Sequence, residues 1–127
     1  MESSMAKPGN QGLTRVIKAA GYSAKGFRAA WKYESAFRQE VVLAVTLIPF
    51  AVWLGRDPFE IAVLIASLFL VVIVELLNSA VEAVVDRVGD EPHQLSGRAK
   101  DLGSAAVFVS LALVIMLWSA VLWDRIA

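Results

Sequence analysis

The sequence predicts an all-α membrane protein: an N-terminal amphipathic surface helix followed by three transmembrane helices. Three observations carry this. Leu102 to Trp123 is a run of 22 residues without a charge, long enough to cross a hydrocarbon core of about 30 Å. Ala36 to Leu54 and Phe59 to Val85 are long enough as well, with Arg38 and Glu40 at the start of one and Glu75 and Glu82 inside the other. The chain is 57% hydrophobic with a mean hydropathy of +0.61, above the usual soluble mixture. A soluble bundle would need a polar face on every helix, and the last run offers Ser104, Ser110 and Ser119 alone.

In chain order, residues 1–12 are polar and read as a disordered tail; residues 13–127 form a single domain. Leu13 to Lys32 is amphipathic. Leu13, Val16, Ile17, Ala20, Ala24, Phe27 and Trp31 recur at 3–4 spacing, with Arg15, Lys18, Tyr22, Lys25 and Arg28 opposite. A basic face and low net hydrophobicity suit a helix lying in the membrane interface. Gly21 and Gly26 each weaken it by roughly 1 kcal/mol relative to Ala, and mark a bend or a close approach. The first span covers about 36–54, with Pro49 expected to kink it and Trp53 at its far interface. Gly55-Arg56-Asp57-Pro58 is a short turn that leaves room for an antiparallel hairpin. The second span covers about 59–88. Gly89 to Gly97 is a turn-rich loop, Ser96 is a candidate cap, and the third span covers about 99–123. Gly103, Ala106 and Ser110 give it a small-residue face for close packing.

Charge placement orients the chain. Of the 12 Lys and Arg residues, all but Arg56 and Arg125 lie in the N-terminal region or around the loop between the second and third spans. The positive-inside rule puts that side, and the N-terminus, in the cytoplasm. With 12 acidic residues in balance, no basic field points to nucleic acid. The absence of Cys removes disulfide frameworks and thiolate metal sites. No signal peptide is apparent.

The chemistry concentrates in ELLNSAVEAVVDR, Glu75 to Arg87. At about 100° per residue, Glu75, Asn78, Glu82 and Asp86 share one stripe of an otherwise apolar helix. An intramembrane acid costs roughly 2.5–3.5 kcal/mol on insertion scales, which makes function the default reading. Rising about 1.5 Å per residue, the helix places Glu75 inside the core and Glu82 about 10 Å nearer the cytoplasm. Arg15, Glu34, Arg98, Lys100 and Asp101 fall at the same interface. Carboxylates beside Lys and Arg are what Mg²⁺-nucleotide handling requires. Mg²⁺ takes one or two carboxylates plus phosphate and water, and cations offset charge on a transferring phosphoryl group. Glu75 and Glu82 are too far apart to share one Mg²⁺, so a ligand at Glu82 needs another helix, with Glu34 available. That leaves Glu75 as a base toward an alcohol. No G-x-x-x-x-G-K-[ST] loop is present, GYSAKG sharing only its composition, and no protein-kinase signature appears.

ELLNSAVEAVVDR followed by EPHQLSGRAKDLGSAAV resembles the prokaryotic diacylglycerol kinase family, and TRVIKAAGYSAKGFRAAW with ESAFRQE is similar to its Gram-negative branch. The resemblance runs from Leu13 to the C-terminus. It implies a homotrimer with active sites shared between neighbours, in the bacterial inner membrane with the C-terminus periplasmic. It implies transfer of the ATP γ-phosphate to the hydroxyl of diacylglycerol, giving phosphatidic acid, with Mg²⁺ as cofactor. Residue by residue it implies Glu75 as catalytic base and Glu34 and Glu82 as metal ligands. The ATP contacts it implies are Arg15, Tyr22, Glu34, Asn78, Glu82, Glu91, His93, Lys100 and Asp101. The lipid contacts are Arg15, Ser23, Arg28, Trp31, Glu40, Glu75 and Ser104. Pro92 departs from the pattern: it stands beside His93 where a non-proline residue is expected, removing an N–H donor and fixing φ.

Two other classes compete. A rotor-type or ion-conducting subunit also uses a lone membrane carboxylate, but does not need acids stepped toward the cytoplasm beside basic residues. A structural membrane protein would use the buried charges to fix packing. Within the family, undecaprenol is the alternative acceptor. ATP dependence and acceptor choice separate these readings.

Overall fold

In the computed structural model, which describes residues 11–127, the chain is all-helical: α1 (Leu13–Tyr33), α2 (Ser35–Leu54), α3 (Pro58–Val88) and α4 (Gln94–Ile126). Most of the expected N-terminal tail, residues 1–10, lies outside the described residues. The chain divides into two compact units, Met1–Glu34 and Ser35–Ala127.

α1 carries its apolar residues exposed, with Leu13 and Trp31 at 74% and 48%, as an interfacial helix would. A Cβ at Gly21 or Gly26 would meet nothing within 4 Å, and the helix runs unbroken through both. Glu34 ends it in extended backbone, its N–H donating to the Ala30 carbonyl at 2.9 Å.

In the second unit, α2, α3 and α4 are each long and apolar enough to cross a membrane. α3 is the centre, packed against both neighbours. Asp57 caps it, accepting from the Glu60 N–H at 2.8 Å, and Pro58 stands at its first turn, where its missing N–H is harmless. Glu60 returns a bond to the Arg56 N–H at 2.9 Å, a relative of the capping box. The hairpin is tight because of Gly55: a Cβ there would lie 2.9 Å from the Ile61 backbone nitrogen. α2 continues through Pro49 to Leu54.

Ala51, Leu54 and Leu64 form the buried core at the turn end, with Ile65, Trp118 and Val121 against it. Three hydroxyls in the apolar zone find partners there. Ser67 donates to the Leu64 carbonyl at 2.6 Å and accepts from the Trp118 indole N–H at 3.2 Å. Ser110 and Thr46 return their hydroxyls to Val107 and Val42 carbonyls, each at 2.7 Å. α3 and α4 run antiparallel, and their contacts read off the register: Asp86 meets Lys100, Asn78 meets Gly103, Ser67 meets Trp118. At the turn end Arg56 pairs with Asp124 at 3.1 Å. Arg125 lies 4.7 Å over the Trp53 ring and donates to the Leu54 carbonyl at 3.4 Å.

α4 extends past the apolar span expected over 99–123 at both ends. Its cap is His93 rather than Ser96: the His93 Nδ1 accepts from the Leu95 N–H at 3.0 Å, and its carbonyl takes the Gly97 N–H at 3.0 Å. Ser96 and Gly97 are absorbed into the first turn, because a cap needs an acceptor at the place where helical backbone begins.

Candidate active site

The polar stripe of α3 faces its neighbours. Glu75 is 3% exposed. Ser79, one turn on, donates its hydroxyl to the Glu75 Oε2 at 3.2 Å. From α2, Glu40 comes close enough to feel the charge of Glu75, and the Glu40 Oε1 is buried without a hydrogen-bond partner. The antiparallel hairpin brings both residues to the end away from the turn, Glu40 standing 15 residues before Gly55 and Glu75 20 after it. Two carboxyls and a hydroxyl thus converge where the helices are otherwise apolar.

Toward the loop end the stripe opens. Asn78 is half-buried, its Oδ1 buried and without a partner. Glu82 is half-buried as well. Lys100 of α4 pairs with Asp86 at 2.9 Å and also feels the charge of Glu82. Asp101 and Ser104 are exposed on α4. Among the described residues no three His, Cys, Asp or Glu side chains gather into a cage for a metal. Single carboxylates such as Glu82, with an ammonium alongside, fit an ion that arrives on a nucleotide's phosphates and keeps most of its ligands from phosphate and water.

A concavity of about 300 Å³ lies at the start of α4, lined by Gly89, Glu91, Pro92, His93 and Ser96 among others. His93 is engaged through Nδ1 as the cap, which leaves Nε2 for another partner. The positive end of the α4 dipole is at the same place. On α1, Arg15, Tyr22, Ser23, Arg28 and Trp31 are all exposed, with Arg15 and Tyr22 two turns apart on one face, and Glu34 is half-buried.

The structure therefore groups Glu40 with Glu75, and Glu82 with Lys100, on the central helix and its neighbours. Three contacts escape sequence reasoning: Ser79 on Glu75, Asp86 on Lys100, and Gly103 on Asn78. The first had a signal, a hydroxyl at i+4 from the buried acid.

A buried carboxylate inside a bundle of three candidate membrane spans, with an acid and a lysine stepped toward one end, defines a small multi-pass membrane protein with a charged site in its bundle. Residues 21–122 match the family model described as prokaryotic diacylglycerol kinase. The chain is 56% identical over 114 residues to the diacylglycerol kinase of Escherichia coli K12, covering 90% of this chain and 93% of the relative. It is 53% identical over 114 residues to that of Pseudomonas aeruginosa, covering 90% and 93%. It is 52% identical over 112 residues to that of Haemophilus influenzae, covering 88% and 95%. The chain belongs to the prokaryotic diacylglycerol kinase family.

Proposed function

We propose that this protein transfers the γ-phosphate of Mg²⁺-bound ATP to the free hydroxyl of diacylglycerol, with Glu75 as general base. The observation that supports this best is the burial of Glu75 in an apolar helix, oriented by Ser79 and set beside Glu40. Glu75 takes the hydroxyl proton, the alcohol oxygen bonds to the γ-phosphorus, and the bond from that phosphorus to the β,γ-bridging oxygen breaks. Phosphatidic acid and ADP result. Lys100 offsets phosphate charge, and Asn78 supplies amide N–H donors. Glu82, with Glu34, would hold Mg²⁺, which when bound neutralises the phosphate oxygens.

Arg15, Tyr22, Glu91, His93 and Asp101 complete the nucleotide contacts in this reading, supported by the family membership and by the concavity beside His93. Pro92 lines that concavity, so recognition there runs through side chains and the α4 N-terminus rather than a Pro92 N–H. Ser23, Arg28, Trp31, Glu40 and Ser104 face the lipid. We further infer a homotrimer in the bacterial inner membrane, with the N-terminus and the α3–α4 loop cytoplasmic, supported by the Lys and Arg asymmetry and by the apolar faces that α2–α4 leave exposed.

The test is phosphate transfer from ATP by the purified protein in mixed micelles, with diacylglycerol and undecaprenol offered in parallel, with and without Mg²⁺. Mg²⁺-dependent phosphatidic acid formation, lost in Glu75→Gln, is the expected result. Transfer to undecaprenol alone would replace the acceptor and keep the mechanism. A folded oligomer that uses no ATP with either acceptor would return the ion-pathway reading.

A further inference from the structure

Asn78 stands between Glu75 and Glu82 on the stripe, and what faces it is the backbone of α4. A Cβ added to Gly103 would overlap the Asn78 Oδ1 and lie 3.2 Å from its Cγ and 3.8 Å from its Cβ. A Cβ at Gly97, in the same helix, would meet nothing within 4 Å. Glycine inside a helix costs roughly 1 kcal/mol relative to Ala, so the close approach at Gly103 offsets a real penalty.

The contact also decides which way the amide points. The buried end is the oxygen, and it has no hydrogen-bond partner. Against a glycine Cα, an oxygen can accept a weak C–H contact. The opposite flip would bury an NH₂ donor at the end of the amide that has no hydrogen-bond partner, at the cost of an orphaned donor. With the oxygen turned to α4, the two amide N–H bonds turn away from that contact.

We propose that Gly103 is a positioning residue of the kinase reaction: its missing side chain lets α4 seat the Asn78 carbonyl and so present the Asn78 NH₂ to phosphate oxygens of the nucleotide. This rests on the nucleotide role of Asn78 proposed above. A methyl group at Gly103 has to displace the amide, and a misplacement of about 1 Å in a positioning group can cost about 100-fold in rate.

The experiment is a double-mutant cycle on the full-length protein in micelles, with Gly103→Ala, Asn78→Ala and the double variant. It reads kcat, the KM values for MgATP and diacylglycerol, binding of the nonhydrolysable analogue AMPPNP with Mg²⁺, and assembly by gel filtration. Gly103→Ala is expected to lower kcat about 10- to 100-fold, with assembly and the diacylglycerol KM unchanged. In the Asn78→Ala background the same change should cost less than about twofold, because the methyl group then has room. Where Asn78→Ala leaves too little turnover, the cycle is read on AMPPNP affinity.

Equal factors in both backgrounds, or a Gly103→Ala enzyme at wild-type rate, would overturn the proposal. If Gly103→Ala alone fails to assemble, recovery of assembly in the double variant supports the direct contact, and failure to recover overturns it. Asn78→Ala with unchanged turnover and unchanged AMPPNP binding would instead sink the nucleotide role of Asn78. That outcome is distinct from loss in Asn78→Ala with additive loss from Gly103→Ala, which removes Gly103 alone.

Discussion

The hydroxyl of Ser79 has two possible uses inside a helix: its own backbone, as Ser67 and Ser110 choose, or a neighbouring side chain. It takes the second and donates to Glu75. A hydrogen bond to a charged group is worth about 1.5–3 kcal/mol, so Ser79→Ala is expected to lower kcat by about tenfold or more while leaving the KM for ATP in place. Steady-state kinetics in mixed micelles reads that split; an unchanged kcat would remove Ser79 from the site. For Glu75→Gln the expected fall in kcat is about 10²–10⁴-fold with normal assembly, and near-normal turnover would remove Glu75 as base. The lone acid in an apolar run was legible in the sequence because its cost demands a purpose. Ser79 gave a weaker signal, a hydroxyl at i+4 from the acid, because a helical serine ordinarily returns its hydroxyl to the chain.

At the scale of the helix, what matters is where each one starts. α3 starts at the expected turn: Asp57 caps it and Pro58 stands in its first turn. Asp57→Ala should lower unfolding stability by about 1 kcal/mol without touching kcat, measured by denaturation in micelles; loss of kcat at unchanged stability would contradict it. The start of α4 is less readable. Ser96 has the residue type of a cap, but the Gly89–His93 connection is short and helical backbone begins at Gln94, so His93 takes the role. The antiparallel hairpin was recoverable from the short turn at Gly55, but not its register, since Glu40 stands 15 residues before Gly55 and Glu75 stands 20 after it. The α3–α4 register was not recoverable either, because the loop length was misjudged and nothing in the sequence says that Gly103 would meet Asn78. Periodicity tells which face of a helix is polar; which residue of the next helix that face meets depends on the last turn of one and the first of the other.

At the scale of the whole molecule, much apolar surface faces outward: Phe108, Ile115 and Trp123 on α4 are 72%, 68% and 70% exposed. Lipid can cover such surface, and so can further copies of the chain. Chemical cross-linking of the purified protein in micelles should end at a trimer band; a pattern that ends at the monomer would contradict the shared-site assembly. The end of the bundle away from the candidate site is closed by Arg56 on Asp124, and by Arg125 on Trp53 and the Leu54 carbonyl. The Arg56–Asp124 pair is half-exposed and worth about 0–1 kcal/mol by itself, so Arg56→Gln should be nearly silent in stability measurements. These contacts are made by Asp124 and Arg125, which stand within the final four residues of the chain. That has a practical consequence for anyone preparing the protein. A version trimmed back to Trp123 would delete the fastening itself, so any attempt to shorten α4 has to keep Asp124 and Arg125.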